Sequence, residues 1–90
     1  LEKMELIDMI ESPEYHVLKQ YDMMHNNNLC DIFMEYLQSG HNVNQTATAV
    51  FLHRNTVLNK IKKAMSVMQC DFEDYQTQTA FILSYLADHK

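Results

Sequence analysis

This sequence predicts an all-α fold, a compact helical domain of about five to six short helices, and three observations carry the prediction. Apolar residues recur at spacings of three and four along most of the chain, the period of an amphipathic helix. Gly and Pro occur once each, too few for the tight turns of an all-β fold. Hydrophobic residues make up 47% of the 90, enough to build a core and too many for a disordered chain. At 10.6 kDa the chain is one domain or a fragment of a longer protein.

Each element has its own warrant. Residues 1–11 place Met4, Ile7 and Ile10 on one face, which reads as the end of a connecting helix from an absent upstream region. Ser12-Pro13 then restarts the chain. Ser12 can cap orphan N–H groups, Pro13 suits the first helical position, and Glu14 suits the dipole of the first turn. A helix is expected from Pro13 to about His25, with Val17, Leu18, Tyr21 and Met24 as its apolar stripe. Asn26, Asn27 and Asn28 break it. The next helix carries Leu29, Ile32, Phe33, Tyr36 and Leu37 on one face and stops at Gly40. A shorter helix follows over residues 44–51, with Asn44 as expected cap, Ala47 and Val50 facing inward, and Ala49 allowing close packing. After a break near residues 51–53, Val57, Leu58, Ile61, Met65 and Met68 mark a helix over about 54–67. Residues 69–74 read as a loop. A last helix over about 75–87 is apolar over a wide arc, expected either at the centre of the core or against a partner. Most of the seven Met residues are expected to fill gaps in the core.

Several function classes find no support in the residues. Cys30 and Cys70 form no CxxC pair and read as free, buried thiols. The five His residues are scattered without metal-ligand spacing, so no metal and no cofactor is expected. With one Gly there is no phosphate-cradling loop, and no local catalytic motif appears, so an enzyme is not expected. No apolar run approaches the roughly 18–20 residues of a membrane span, and no secretory signal is found.

The net charge of −5, from 7 Lys+Arg against 12 Asp+Glu, argues at first against nucleic acid. Its layout argues the other way. Residues 41–69 contain no acid and hold Arg54, Lys60, Lys62 and Lys63, which gives +4 and leaves −9 for the rest. Such asymmetry points to an anionic partner for one segment. The same window is rich in Asn, Gln and Thr, whose side chains reach base edges and phosphates. Two short helices joined by a tight turn, the second one basic, make a helix-turn-helix. Here the motif covers about residues 44–67, with helices over 44–51 and 53–67.

The stretch from Gly40 to Val57, with His53-Arg54-Asn55-Thr56 at its heart, resembles the C-terminal DNA-binding domain of the PucR family. That family includes CdaR-like sugar-diacid regulators and purine-catabolism regulators of bacteria. Ser12-Pro13, the segment from Leu18 to Asp22, and the flanking helices extend the resemblance over roughly residues 12–87, within a domain set at 12–90. It implies sequence-specific binding of double-stranded DNA by the output domain of a cytoplasmic bacterial transcription regulator. It also implies a homodimer and an effector sensed by an upstream domain. His53, Arg54, Asn55 and Thr56 match the start of the recognition helix. Asn59 lies one turn beyond Asn55, and Lys60 and Lys63 flank the groove to reach phosphates, with Lys62 less clearly assigned. Asn44, Gln45 and Thr46 open the first helix of the motif, where a phosphate can be held. Val57 and Ile61 belong to the core. Lys stands where the family usually has Arg after the motif, which implies weaker base readout and stronger salt sensitivity. The alternative is a helical protein-interaction or dimerisation module with weak or no DNA binding, suggested by the acidic flanks and the apolar last helix.

Overall fold

The computed structural model describes residues 12–88, which form five helices: α1 (Pro13–His25), α2 (Leu29–Gln38), α3 (Val43–Val50), α4 (Arg54–Met68) and α5 (Tyr75–Asp88). No strand occurs among the described residues. The connecting helix expected over residues 1–11 lies outside them. The all-α expectation holds, and the helix boundaries fall within a residue or two of the sequence reading.

Local chemistry explains where each helix starts and stops. Ser12 caps α1 by accepting from the Tyr15 N–H at 3.1 Å, with Pro13 in the first turn. Asn26, in left-handed conformation, ends it. Asn28 precedes α2 yet makes no side-chain cap. Asp22 of α1 serves instead. Its Oδ1 accepts from the Leu29 N–H at 3.0 Å and its Oδ2 from the Cys30 N–H at 2.8 Å. A carboxylate there also complements the positive end of the helix dipole. At the other end of α2, Gly40 sits at φ +73°, its N–H donates to the Leu37 carbonyl, and the His41 N–H donates to the Tyr36 carbonyl at 2.9 Å. That is the paired hydrogen bonding of a Schellman motif, and the His41 ring stacks on Tyr36 at 4.9 Å to complete it.

The core is organised around α2, which packs against each of the other four helices. Leu29, Cys30, Ile32, Phe33, Met34 and Leu37 are all buried. Phe33, Phe72 and Phe81 meet edge to face, with ring centroids 4.8 Å, 5.4 Å and 5.6 Å apart. Each such pair contributes about 0.5–1.5 kcal/mol beyond the area buried. Tyr15, Leu18, Val57, Ile61 and Ala64 complete the interior from α1 and α4.

The structure corrects several expectations of packing. In α1 the buried residues are Tyr15 and Leu18, whereas Val17 and Met24 are exposed, because the helix touches α2, α4 and α5 along a narrower stripe. Met34 and Met68 are core residues, but Met23 and Met24 are exposed. Ala49 is exposed rather than at a helix contact. Cys30 is buried but Cys70 only partly so, and both thiols are free. The last helix is not the centre of the core. Only Phe81 of α5 is buried, and α5 packs on α1 and α2 alone among the described helices. Polar contacts fasten it there. The Ser12 N–H donates to Ser84 Oγ, Tyr15 Oη donates to Asp88, and Tyr85 Oη donates to Asp31 at 2.6 Å.

Candidate nucleic-acid interface

α3 and α4 pack on each other and are joined by residues 51–53. The cap of α3 is Asn42, whose Oδ1 accepts from the Gln45 N–H at 3.0 Å, not Asn44 two residues later. The helix proper therefore starts at Val43, two residues earlier than a cap at Asn44 implies, and Asn44 and Gln45 stand exposed in its first turn. They border an open groove against Glu35 and Gln38 of α2. Thr46 is the exception among the expected site residues. It is fully buried, and its hydroxyl donates to the Asn42 carbonyl at 2.8 Å. It holds the start of α3 in place and offers no side-chain atom to a ligand.

His53 caps α4. Its Nδ1 accepts from the Asn55 N–H at 3.2 Å, so the ring proton of this tautomer sits on Nε2. The first turn of α4 then presents Arg54, Asn55 and Thr56, all exposed. Beyond them the helix has two opposed stripes. Val57, Ile61, Ala64 and Met68 are buried, at spacings of four, three and four. Asn55, Asn59, Lys62 and Ser66 repeat that spacing two residues earlier, and all four are exposed. Two residues turn a helix by about 200°, which sets the second stripe on the far side from the core.

The cations divide along this geometry. Lys62 lies in the middle of the outward stripe. Lys63 is exposed to one side, with its Nζ 5.6 Å from the centre of the Tyr21 ring of α1. Lys60 is half-buried on the same flank. Lys62 and Ser66 are thus the residues that the sequence reading underweighted. The signal for them is the buried stripe itself, shifted by two positions. Arg54, Lys60, Lys62 and Lys63 make no ion pair among the described residues, where Lys19 pairs with Asp88. Among the described residues, no carboxylate neutralises them, and only Lys63 has a partner, the Tyr21 ring.

Elsewhere, the Cys30 thiol and the Tyr15 and Tyr85 phenols are tied into the fold. Burial, and then the Asp22 carboxylate, push the Cys30 thiol well above its ordinary range. Such a thiol is a poor nucleophile. Burial, and then hydrogen bonds to Asp88 and Asp31, do the same to the phenols of Tyr15 and Tyr85. No three His, Cys, Asp or Glu side chains gather as metal ligands among the described residues. No described helix is long and apolar enough to cross a membrane.

A family model, the PucR C-terminal helix-turn-helix domain, matches residues 29–87. Comparison with curated proteins and with solved structures found no match. The family match runs from the first residue of α2 nearly to the end of α5, and takes in the whole of the α3–α4 pair. It starts later than the resemblance over 12–87, leaving α1 ahead of it. It covers well over half of the chain and includes α4, which carries the exposed polar stripe. The chain therefore belongs to the PucR C-terminal helix-turn-helix family, a family of DNA-binding output domains of transcription regulators and not of enzymes.

Proposed function

We propose that this domain binds double-stranded DNA in a sequence-specific way, with α4 lying in the major groove and α3 crossing the backbone. The carrying observation is the outward stripe of α4, where Asn55, Asn59, Lys62 and Ser66 stand opposite the buried stripe. Asn55 and Asn59 are the base readers, since an Asn amide can pair bidentately with adenine. Arg54 reads a guanine edge or a phosphate at the helix start. Lys62 and Lys63 neutralise phosphates, and Lys60 does so by extending from its half-buried stem. Thr56, His53 Nε2 and the first N–H groups of α4 add donors near the backbone. Asn44 and Gln45 play the matching part at the start of α3.

The protein acts in the bacterial cytoplasm as a homodimer on two half-sites about 34 Å apart. Its effector is sensed by an upstream domain, to which residues 1–11 connect the 12–90 domain. The test is titration of duplex DNA against the chain at several salt concentrations. Affinity should fall steeply with salt, by roughly one unit of log–log slope for each phosphate neutralised. The pair Arg54→Glu and Lys62→Glu should abolish binding with helical content unchanged. Undiminished binding by that double variant would remove α4 from the interface.

A further inference from the structure

Two phenylalanines share one unfavourable backbone conformation and have opposite surroundings. Phe51 has φ +59° and Phe72 has φ +58°. A bulky residue in left-handed backbone is a steric outlier. Phe72 is 1% exposed, and its ring packs against Phe33 and Phe81, so burial offsets its strain. Phe51 is 92% exposed and makes no ring contact among the described residues. The other non-glycine residues with positive φ are Asn26, His41 and Gln69, polar residues at helix ends. Among the described residues, Phe51 alone combines a large apolar side chain, backbone strain and nearly complete exposure. Phe51 is the C-cap of α3, where its N–H and that of Leu52 donate to the Ala47 carbonyl, a place that Gly or Asn usually takes. A bulky apolar side chain kept there in left-handed backbone and turned to solvent points to a role outside the fold.

We propose that Phe51 is a specificity-determining residue that packs its ring on the C5-methyl group of a thymine in the bound duplex. This rests on the DNA-binding reading above and extends it to a residue outside the hydrogen-bonding stripe. Phe51 opens the three-residue turn and lies three positions before Arg54, next to the part of α4 assigned to the groove. Its neighbours in sequence suit nucleic acid rather than an apolar protein surface. Leu52 is partly exposed, His53, Arg54, Asn55 and Thr56 are exposed and polar, and no acid occurs from 41 to 69. A single ring framed by donors and a cation matches a thymine edge, which offers one methyl group beside one carbonyl acceptor.

The test begins with duplexes selected from a random pool by the wild-type chain. Each thymine of the selected site is then replaced by deoxyuridine, which differs only in lacking the methyl group. Wild-type affinity should drop about fourfold at one thymine, the worth of one buried methyl group. Phe51→Asn should bind the parent duplex more weakly and lose the distinction between thymine and deoxyuridine at that position. It should also melt at a higher temperature, because Asn tolerates left-handed backbone, so a loss of discrimination cannot be a loss of fold. Indifference of the wild type to every replacement, or discrimination retained by Phe51→Asn, overturns the proposal while leaving DNA binding intact. So does a change from dimer to monomer in Phe51→Asn with discrimination preserved, which assigns the ring to a second copy of the chain. Failure of the wild type to enrich any duplex overturns the DNA-binding reading itself, and this proposal with it.

Discussion

Asp22 in α1 holds the first turn of α2, its carboxylate accepting from the main-chain N–H of Cys30 at 2.8 Å while its other oxygen serves Leu29. The cap of the central helix is thus provided by another helix. Asp22→Ala should destabilise the fold by about 1–3 kcal/mol, the range for losing charge-assisted hydrogen bonds to partly buried donors. Asp22→Asn should cost less, since one amide oxygen still accepts. Chemical denaturation of the two variants checks both the size and the order.

Gly40 gives a cleaner backbone test. A Cβ there would meet nothing within 4 Å, so only its φ of +73° resists substitution. Gly40→Ala should cost about 1–2 kcal/mol, the penalty of left-handed backbone for an L-residue. Gly40→Asn should recover part of that loss. A domain of this size shifts its melting temperature by roughly 4–8 °C per kcal/mol, so thermal unfolding resolves the series.

The pH dependence of stability should be set at both ends by contacts between α1, α2 and α5. Lys19 and then Tyr15 hold the Asp88 carboxyl below its ordinary range. Its contribution is present above the ordinary carboxylate pKa of about 4 and is lost as pH falls through the lower folded value. Tyr15 and Tyr85 have raised pKa values, so their contribution is complete below about pH 10 and is lost as pH climbs through the higher folded values. Urea midpoints measured across pH should show a smaller acid-side decline in Asp88→Asn. Tyr85→Phe should flatten the alkaline decline.

Alkylation should separate the thiols by place. Cys70 is partly exposed, whereas Cys30 is buried beneath the Asp22 cap. A maleimide should label Cys70 in the folded protein and reach Cys30 only on unfolding, with mass spectrometry counting adducts over time. Equal labelling rates at the two positions would contradict the packing of α1 on α2.

The basic residues of α4 should not be equivalent. Lys62→Ala should weaken binding uniformly across DNA sequences and lower the salt slope by about 1. Asn55→Ala or Asn59→Ala should relax sequence preference with little change of slope. Thr46→Val should leave both unchanged, because the hydroxyl is turned to the Asn42 carbonyl inside the fold.

What could be read from the sequence follows from how local each cause is. The ends of α1 and α2 were legible because Ser12, Pro13 and Gly40 act through their own backbone neighbours. The core face of α2 was legible because a helix touching four others needs a wide apolar arc, which Leu29, Ile32, Phe33 and Leu37 mark by their spacing. The sequence reading puts the cap of α3 at Asn44 and misses Asn42, since either Asn precedes a helical run and only the fold chooses. The exposure of Met24, Val17 and Ala49 depended on where other helices lie, which spacing within one helix does not encode. The peripheral place of α5 was hidden for the same reason. At the interface, His53-Arg54-Asn55-Thr56 marked the start of α4. The place of Lys62 on the outward stripe required knowing which of the apolar residues were truly buried.

The position of α1 separates two units that share most of their length. The family match begins at Leu29. The segment that folds must include Tyr15 and Leu18 in the interior, the Asp22 cap of α2 and the Ser12 bond to Ser84. An expression boundary drawn at Leu29 would therefore cut through the hydrophobic core and yield an insoluble or molten product. One drawn before Ser12 keeps every buried side chain described here.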